Sequence, residues 1–374
     1  MVTETEIVKR AIELGFGDAG FTTAEPFPSQ LQALESRKEM YDWIGKMGLN
    51  LFDGTDPQAL YPEARSIIVM IEPYFRKAFP LSMEALFGRC YLDDDRMTKD
   101  GLTLRIKAFR NYLRDNGIGS KIHPALPQRI TAARSGLGTF GKNNLFYANR
   151  AALGGSWVSI IAIMIDQELS PGKPSVGFGC PDWCRNVCIT ACPTGALIGP
   201  GKIDPRRCIS YLSYYGEGLT PLDLREPMGT WVYGCDRCQN VCPRNLPWLF
   251  IEKPVHEQVH KRNGDFALSG LLNMDPSYFC SRIWPYMFYI PEHDLWRWQM
   301  NAARAMGNSL DPSHVPDLIR SLTGNGDQRV RAMCAWALGH IGGADAHSAL
   351  KSRLTGEVSA VREEIERALK TMRA

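Results

Sequence analysis

The chain has 374 residues, 44% of them hydrophobic and 22% charged, with a formal net charge of +3. That length supports two or three domains with full cores, and the near-neutral charge supplies no general electrostatic case for nucleic-acid binding, leaving only a local patch open. No apolar run approaches the ~20 residues of a membrane span. The N-terminal TETEIVKRAIELGF opens on a polar cap and repeats apolar residues at helical spacing, which predicts an amphipathic helix. ARSIIVMIEPYF is a β-rich run closed by proline and predicts a buried strand. DGLTLRIKAFRNYLRDNG predicts a second amphipathic helix with a glycine stop, and GSWVSIIAIMIDQEL a second buried strand. Together these predict an α/β or α+β domain around a central sheet over residues 1–170.

Between the last helix and strand lies ARSGLGTFGKNNLF, with GGSW after it. Gly136, Gly138 and Gly141 would let backbone approach a large planar or phosphate-bearing ligand, and Lys142, Asn143 and Asn144 offer polar groups. The motif matches neither the dinucleotide nor the P-loop pattern. On spacing alone an ordinary glycine turn is by far the commoner reading.

Eight of the eleven cysteines crowd one Cys-, Pro- and Gly-rich stretch, expected as a domain over residues 171–250. Cys180, Cys184, Cys188 and Cys192-Pro193 form one run, and Cys208, Cys235, Cys238 and Cys242-Pro243 a second. In two-cluster ferredoxins three cysteines of one loop hold one cluster, and the fourth, before proline, crosses to the other. The count then closes with Cys180, Cys184, Cys188 and Cys242 on one [4Fe-4S] cluster and Cys192, Cys208, Cys235 and Cys238 on the other. The first run has three residues in every gap, a departure from the usual C-x2-C-x2-C-x3-C. Zinc is disfavoured by the two Cys-Pro endings and the lack of histidine among the ligands. Disulfides are disfavoured because MVTETEIVKRAIELGFGDAG has no apolar signal-peptide core, so a reducing, cytoplasmic setting is expected. Cys90, Cys280 and Cys334 are expected as small buried apolar residues.

Residues 251–374 carry an internal repeat. WQMNAARAMGNSLDPSHVPDLIRSLT aligns with VRAMCAWALGHIGGADAHSALKSRLT, and VREEIERALKTMRA is a partial third copy. Ala305-Met306-Gly307 and Ala337-Leu338-Gly339 recur 32 residues apart, the period of a short helical array of HEAT type. A brace for the cluster domain and a surface for a partner are both open.

The order of segments, DPQALYPEARSIIV, ARSGLGTFGKN, GSW, CPTGAL, RRCISYL, YGCDRCQNVCPRN and VRAMCAWALGHIG, resembles the epoxyqueuosine reductase family over most of the chain. That family is related to the reductive dehalogenases. The resemblance implies a corrinoid-binding N-terminal domain, a ferredoxin-like double [4Fe-4S] domain and C-terminal HEAT-type repeats. It implies cobalamin beside the two clusters, contacted around Arg134, Gly136, Gly138, Gly141, Lys142, Asn143, Ser156 and Trp157. Cluster electrons from an external donor such as ferredoxin or flavodoxin would reduce it.

Three segments depart from the family. An Asp-Ser-x-Pro-x-x-Glu stretch is expected before the glycine motif, its aspartate resembling the proton donor; here KIHPALPQR puts Ile122 or His123 at the aspartate and Gln128 or Arg129 near the glutamate. A Tyr-Ala-x-Gly-x-Asp-Tyr-His run reads YLDDDRMT, keeping Tyr91 alone. A basic stretch resembling a transfer-RNA contact is replaced by SRIWPYMFYIPEHDLWRW. These departures favour a corrinoid-dependent reductase for a small apolar or aromatic molecule. Its candidate acids are Tyr91 and His123, set against readings as a packed aromatic and an idle loop histidine. Asp93, Asp94, Asp95 and Arg96 are possible partners, or a solvated turn. An epoxyqueuosine reductase on tRNA and a non-catalytic electron carrier remain as alternatives.

Overall fold

The computed structural model describes residues 2–372. The chain divides into two compact units, each discontinuous in sequence. The first comprises Met1–Arg76, Lys99–Pro205 and Arg237–Lys253, and the second Lys77–Thr98, Arg206–Asp236 and Pro254–Ala374. The cysteine-rich stretch expected as a domain of its own is therefore shared between them. Its later part carries a small core of its own, Ile209, Leu212, Leu224 and Met228, within the second unit.

In the first unit the predicted helix runs Glu4–Glu13, its N-terminus closed by a capping box between Thr3 and Glu6. The two predicted strands are β2 (Ser66–Pro73) and β6 (Val158–Ile165). With β1 (Asp18–Thr23) and the short β3 (Ser120–Lys121) they form a sheet of order β1-β2-β6-β3, antiparallel throughout. Every residue of β2 is buried, so both faces of the sheet are covered. Ile68, Met70, Ile161, Ile163 and Ile165 pack on one face against Ile7 and Ala11 of the first helix and Phe109 and Leu113 of the helix Leu102–Asp115. Ile67, Val69, Ile71, Ala162 and Met164 face the other way, toward Ala132 and Ala133 of the helix Gln128–Arg134 and Phe146 of a small hairpin. The period of two in this division is what a strand dictates. Each fully buried large side chain contributes about 1.5–3 kcal/mol.

That hairpin pairs β4 (Gly138–Phe140) with β5 (Phe146–Ala148). Phe140 also bridges to Phe178 in the approach to the first cysteine run. The glycine motif is thus part of a hairpin that the sheet supports from beneath and that meets the cysteine loop directly.

The repeat region of the second unit forms the helices Leu295–Ser309, Val315–Gly324, Gln328–Ile341, Ala344–Arg353 and Ser359–Thr371. The last two residues of the partial third copy lie outside the described residues. A Cβ on Gly307 would meet Ala337 Cβ at 2.9 Å, and one on Gly339 would meet Ala368 Cβ at 2.5 Å. The small residues at the repeat positions therefore set the close approach of successive helices. Arg225 forms a buried two-bond pair with Glu364, 2.9 Å on each arm, tying the short helix Leu222–Arg225 to the last helix of the array.

Candidate iron–sulfur site and its surroundings

Among the described residues no cysteine is joined to another by a disulfide. In the first unit, Cys180, Cys184, Cys188 and Cys242 form one neighbourhood. Burial, then the proximity of Cys242, Cys180 and Cys184, pushes the Cys188 thiol up to about 11. Four thiols gain nothing by themselves from being gathered there; iron, which takes its ligands as thiolates, supplies the reason.

Donors surround these sulfurs. The Lys142 backbone N–H donates to Cys180 Sγ at 3.4 Å, and Lys142 Nζ reaches Cys184 O at 3.5 Å. Burial, then Cys242 beside its hydroxyl, pushes the Tyr147 phenol up. Hydrogen bonds to cluster sulfurs are one of the terms that set a cluster's potential. The remaining four cysteines are divided, Cys192 and Cys238 in the first unit and Cys208 and Cys235 in the second. Cys208 stands at the N-cap of the helix Ile209–Tyr214, and Cys235 packs on an apolar group of Ile209, Leu212, Leu224 and Met228.

The residues tied by resemblance to a corrinoid are largely occupied by the protein itself. A Cβ on Gly138 would meet Tyr147 O at 2.2 Å, and one on Gly141 would meet the Tyr147 ring at 2.3 Å. Asn143 is buried and donates to Tyr147 Oη at 3.0 Å and Cys238 O at 3.3 Å. Ser156 and Trp157 are buried on Asn245: the Ser156 N–H donates to Asn245 Oδ1 at 2.7 Å and Trp157 Nε1 to Asn245 O at 3.4 Å. Gln239 closes this network by donating to Ser156 Oγ at 3.0 Å and Tyr74 Oη at 3.1 Å. Arg134, Gly136 and Lys142 keep partly exposed surface. Arg134 lies 4.4 Å over the Phe27 ring and donates to Thr23 Oγ1 at 2.8 Å.

The candidate acids fall in different units. His123 Nδ1 accepts the Ala125 N–H at 3.2 Å, which closes a turn and leaves the ring proton on Nε2. Tyr91, in the second unit, is half-buried with its hydroxyl 2.8 Å from that of Tyr214. Its ring packs edge-on against Tyr233, Tyr289 and Tyr214 at 4.9, 5.6 and 5.9 Å. Burial, then Tyr214, raises the Tyr91 phenol well above its ordinary value. Asp93, Asp94 and Asp95 stand at the junction of two single-turn helices, Arg89–Leu92 and Asp95–Thr98, rather than in an open turn. Of the three outlying cysteines only Cys334 is buried; Cys280 is half-buried and Cys90 exposed. Asn245, Gln239, Tyr147 and the tyrosine group around Tyr91 carry no spacing signal and become visible only in the fold.

Residues 180–245 match a 4Fe-4S double cluster binding domain, and residues 291–370 match HEAT repeats. The epoxyqueuosine reductase of Bacillus cereus is 29% identical across 94% of this chain and 92% of its own length. That of Staphylococcus aureus is 28% identical across 98% and 96%. The solved epoxyqueuosine reductase of Bacillus subtilis, with its catalytic aspartate loop swung out of the active site, superposes with a TM-score of 0.78 at 26% identity, covering 99% of both chains. In sequence and in fold the chain is similar to these epoxyqueuosine reductases. Another neighbour, at TM-score 0.76, 26% identity and 99% coverage of both chains, is an epoxyqueuosine reductase solved with an epoxyqueuosine-modified tRNA stem loop.

These likenesses overturn the expectation of a small apolar or aromatic substrate and the doubt cast on tRNA as a partner. Local departures at the expected aspartate and basic stretch were read as a change of substrate, yet the likeness runs the whole chain. The tyrosines around Tyr91 are packed largely on one another. Aromatic side chains in place of arginines remain compatible with RNA, whose unpaired bases stack on them.

Proposed function

We propose that the chain is an epoxyqueuosine reductase, converting epoxyqueuosine to queuosine in tRNA with electrons delivered through two [4Fe-4S] clusters. The observation that carries this reading is the likeness to solved epoxyqueuosine reductases across 99% of both chains, with all eight clustered cysteines inside the double-cluster match. Removing the epoxide oxygen consumes two electrons and two protons and releases water. One-electron clusters suit a stepwise delivery. The ligand sets are those of the spacing argument, Cys180, Cys184, Cys188 and Cys242 for one cluster and Cys192, Cys208, Cys235 and Cys238 for the other.

Cobalamin is the second cofactor in this proposal. The residues that would hold it are Lys142, whose long contact to Cys184 O can yield, the backbone at Gly136 and Arg134, whose guanidinium would have to exchange its bonds to Thr23, Glu25 O and Pro26 O for a phosphate-bearing group. Bound there, cobalamin supplies a strongly reducing metal centre. Asn143, Ser156 and Trp157 act by bracing the cysteine loops, since their side chains are buried on Tyr147, Asn245 and Gln239.

Tyr91 is the proposed proton donor. Its raised pKa keeps the proton on the phenol at neutral pH, and an alkoxide released by epoxide opening is a far stronger base, so transfer runs downhill. His123, with Nε2–H available, is the second candidate. The reading is tested with anaerobically reconstituted protein, a chemical reductant and an epoxyqueuosine-containing stem loop. Queuosine in the nucleoside digest supports it; unchanged epoxyqueuosine, with iron, sulfide and corrinoid verified in the same preparation, overturns it.

A further inference from the structure

The stretch that replaces the expected basic segment does not bury all of its aromatics. Phe288 and Tyr289 stack with ring centroids 4.6 Å apart and planes 25° from parallel. The Arg96 guanidinium lies 3.4 Å over the Phe288 ring, giving a stack of three whose Arg96 member is exposed. A second pair repeats the arrangement nearby in sequence, with Arg262 3.6 Å over Tyr286. Tyr289 is 40% exposed, yet it is held firmly. Its backbone N–H donates to Tyr233 Oη at 2.8 Å, and its ring packs against Tyr91 at 5.6 Å and Tyr214 at 5.7 Å.

Charge here is balanced. Asp94 and Arg96 both act on the Tyr289 hydroxyl, and Asp94 Oδ1 accepts the Arg96 N–H at 2.9 Å. A carboxylate at the stack opposes a phosphate, so a backbone-tracking groove is the wrong description. A rigid aromatic stack that ends in a guanidinium plane suits the π-face of an unpaired base. Sequence-specific RNA recognition works on such loop bases, and prior fixing of the aromatics lowers the entropy lost on binding.

We propose that Arg96, Phe288 and Tyr289 form a stacking platform for one unpaired base of the RNA loop, with Asp94 beside it as an acceptor for an N–H on the base edge. This rests on tRNA being the substrate. It assigns to aromatics the task that the resemblance gave to basic residues.

The test measures binding of an unmodified anticodon stem loop, and of a set of loops each carrying one abasic position, to the full chain with its clusters loaded. Tyr289→Leu and Phe288→Leu are compared with Tyr289→Trp, and thermal melting confirms that each variant is folded. Loss of one stacked base corresponds to roughly 5- to 100-fold in affinity. The leucine variants are expected to lose that much with an unchanged salt slope, and the tryptophan variant to keep affinity. One abasic loop should bind weakly to the wild type and lose nothing further in Tyr289→Leu, because the two changes remove the same contact. Wild-type binding that leucine leaves intact, or a salt slope lowered by about one in Arg96→Ala, which marks a phosphate contact, overturns the platform while leaving the tRNA reading in place. A wild type that binds no stem loop overturns both.

Discussion

Asn245 sits where the fold meets the cluster chemistry, and Asn245→Ala should show it. The side chain is wholly buried. Its Oδ1 accepts the Ser156 N–H at 2.7 Å, its Nδ2 donates to Ser156 Oγ and Gln239 O at 2.9 Å each, and its own N–H donates to Cys242 O at 2.9 Å. Alanine keeps the last bond and removes the rest, leaving the Ser156 N–H buried without its partner, while the Gln239 carbonyl keeps the Cys242 N–H at 3.2 Å. An orphaned buried group costs about 1–3 kcal/mol, and the lost bonds to Ser156 Oγ and Gln239 O add to it without being strictly additive. A net destabilisation of about 2–4 kcal/mol follows, a shift on the order of 10 °C in a unit of this size. Because the network grips the segment between Cys238 and Cys242, the same variant should lose iron. The assay is iron and sulfide per chain after anaerobic gel filtration, with the thermal onset of cluster bleaching; kinetic loss is the proper readout for a cofactor protein. Wild-type iron content and wild-type onset in Asn245→Ala would refute the bracing role.

Cys188→Ser and Cys242→Ser should each cost one cluster, and the double variant no more than one, whereas Cys280→Ser and Cys334→Ser should retain full iron; additive loss in the double variant would break the assigned ligand set. Glu364→Gln should destabilise the second unit by about 3–5 kcal/mol, because it strands a buried guanidinium at Arg225, and a melt equal to wild type would count against that. Burial alone would raise Glu364, but the bonds from Arg225 and Arg367 hold it below the usual range. A carboxylate depressed in the native state stabilises above its unfolded value of 4.5, and that stability goes as pH falls through the lower native value. Acid melts of wild type should therefore fall steeply below about pH 4.5, with a shallower fall in Glu364→Gln. Tyr91→Phe should lower turnover by about 10²- to 10⁴-fold with both clusters retained; undiminished turnover would move the proton to another group, with His123→Gln as the companion variant.

Much of this was legible in the sequence. The helix Glu4–Glu13 and strands β2 and β6 declare themselves by period and cap, and the repeat by the recurrence at Gly307 and Gly339, where fit on Ala337 and Ala368 forbids a side chain. The cysteines were legible because cluster chemistry demands a count and a spacing. At Gly138 and Gly141 a Cβ would meet Tyr147, a packing reason for glycine that sequence distance does not reveal. The substrate was misread for a related reason. A missing aspartate and a missing basic run are local losses, and the stack of Arg96 on Phe288 and Tyr289 joins residues far apart in the chain that no period connects. The division of the cysteine stretch between two units was likewise hidden, since it depends on which apolar groups its segments join.

Expressing the chain, with corrinoid supplied, in a bacterium lacking its own epoxyqueuosine reductase and analysing the tRNA nucleosides by mass spectrometry tests epoxide reduction in the cell. Iron, sulfide and corrinoid are verified in protein recovered from the same cells. Queuosine should appear and epoxyqueuosine decline. Persistent epoxyqueuosine in cells holding fully loaded protein would show that the chain is not an epoxyqueuosine reductase.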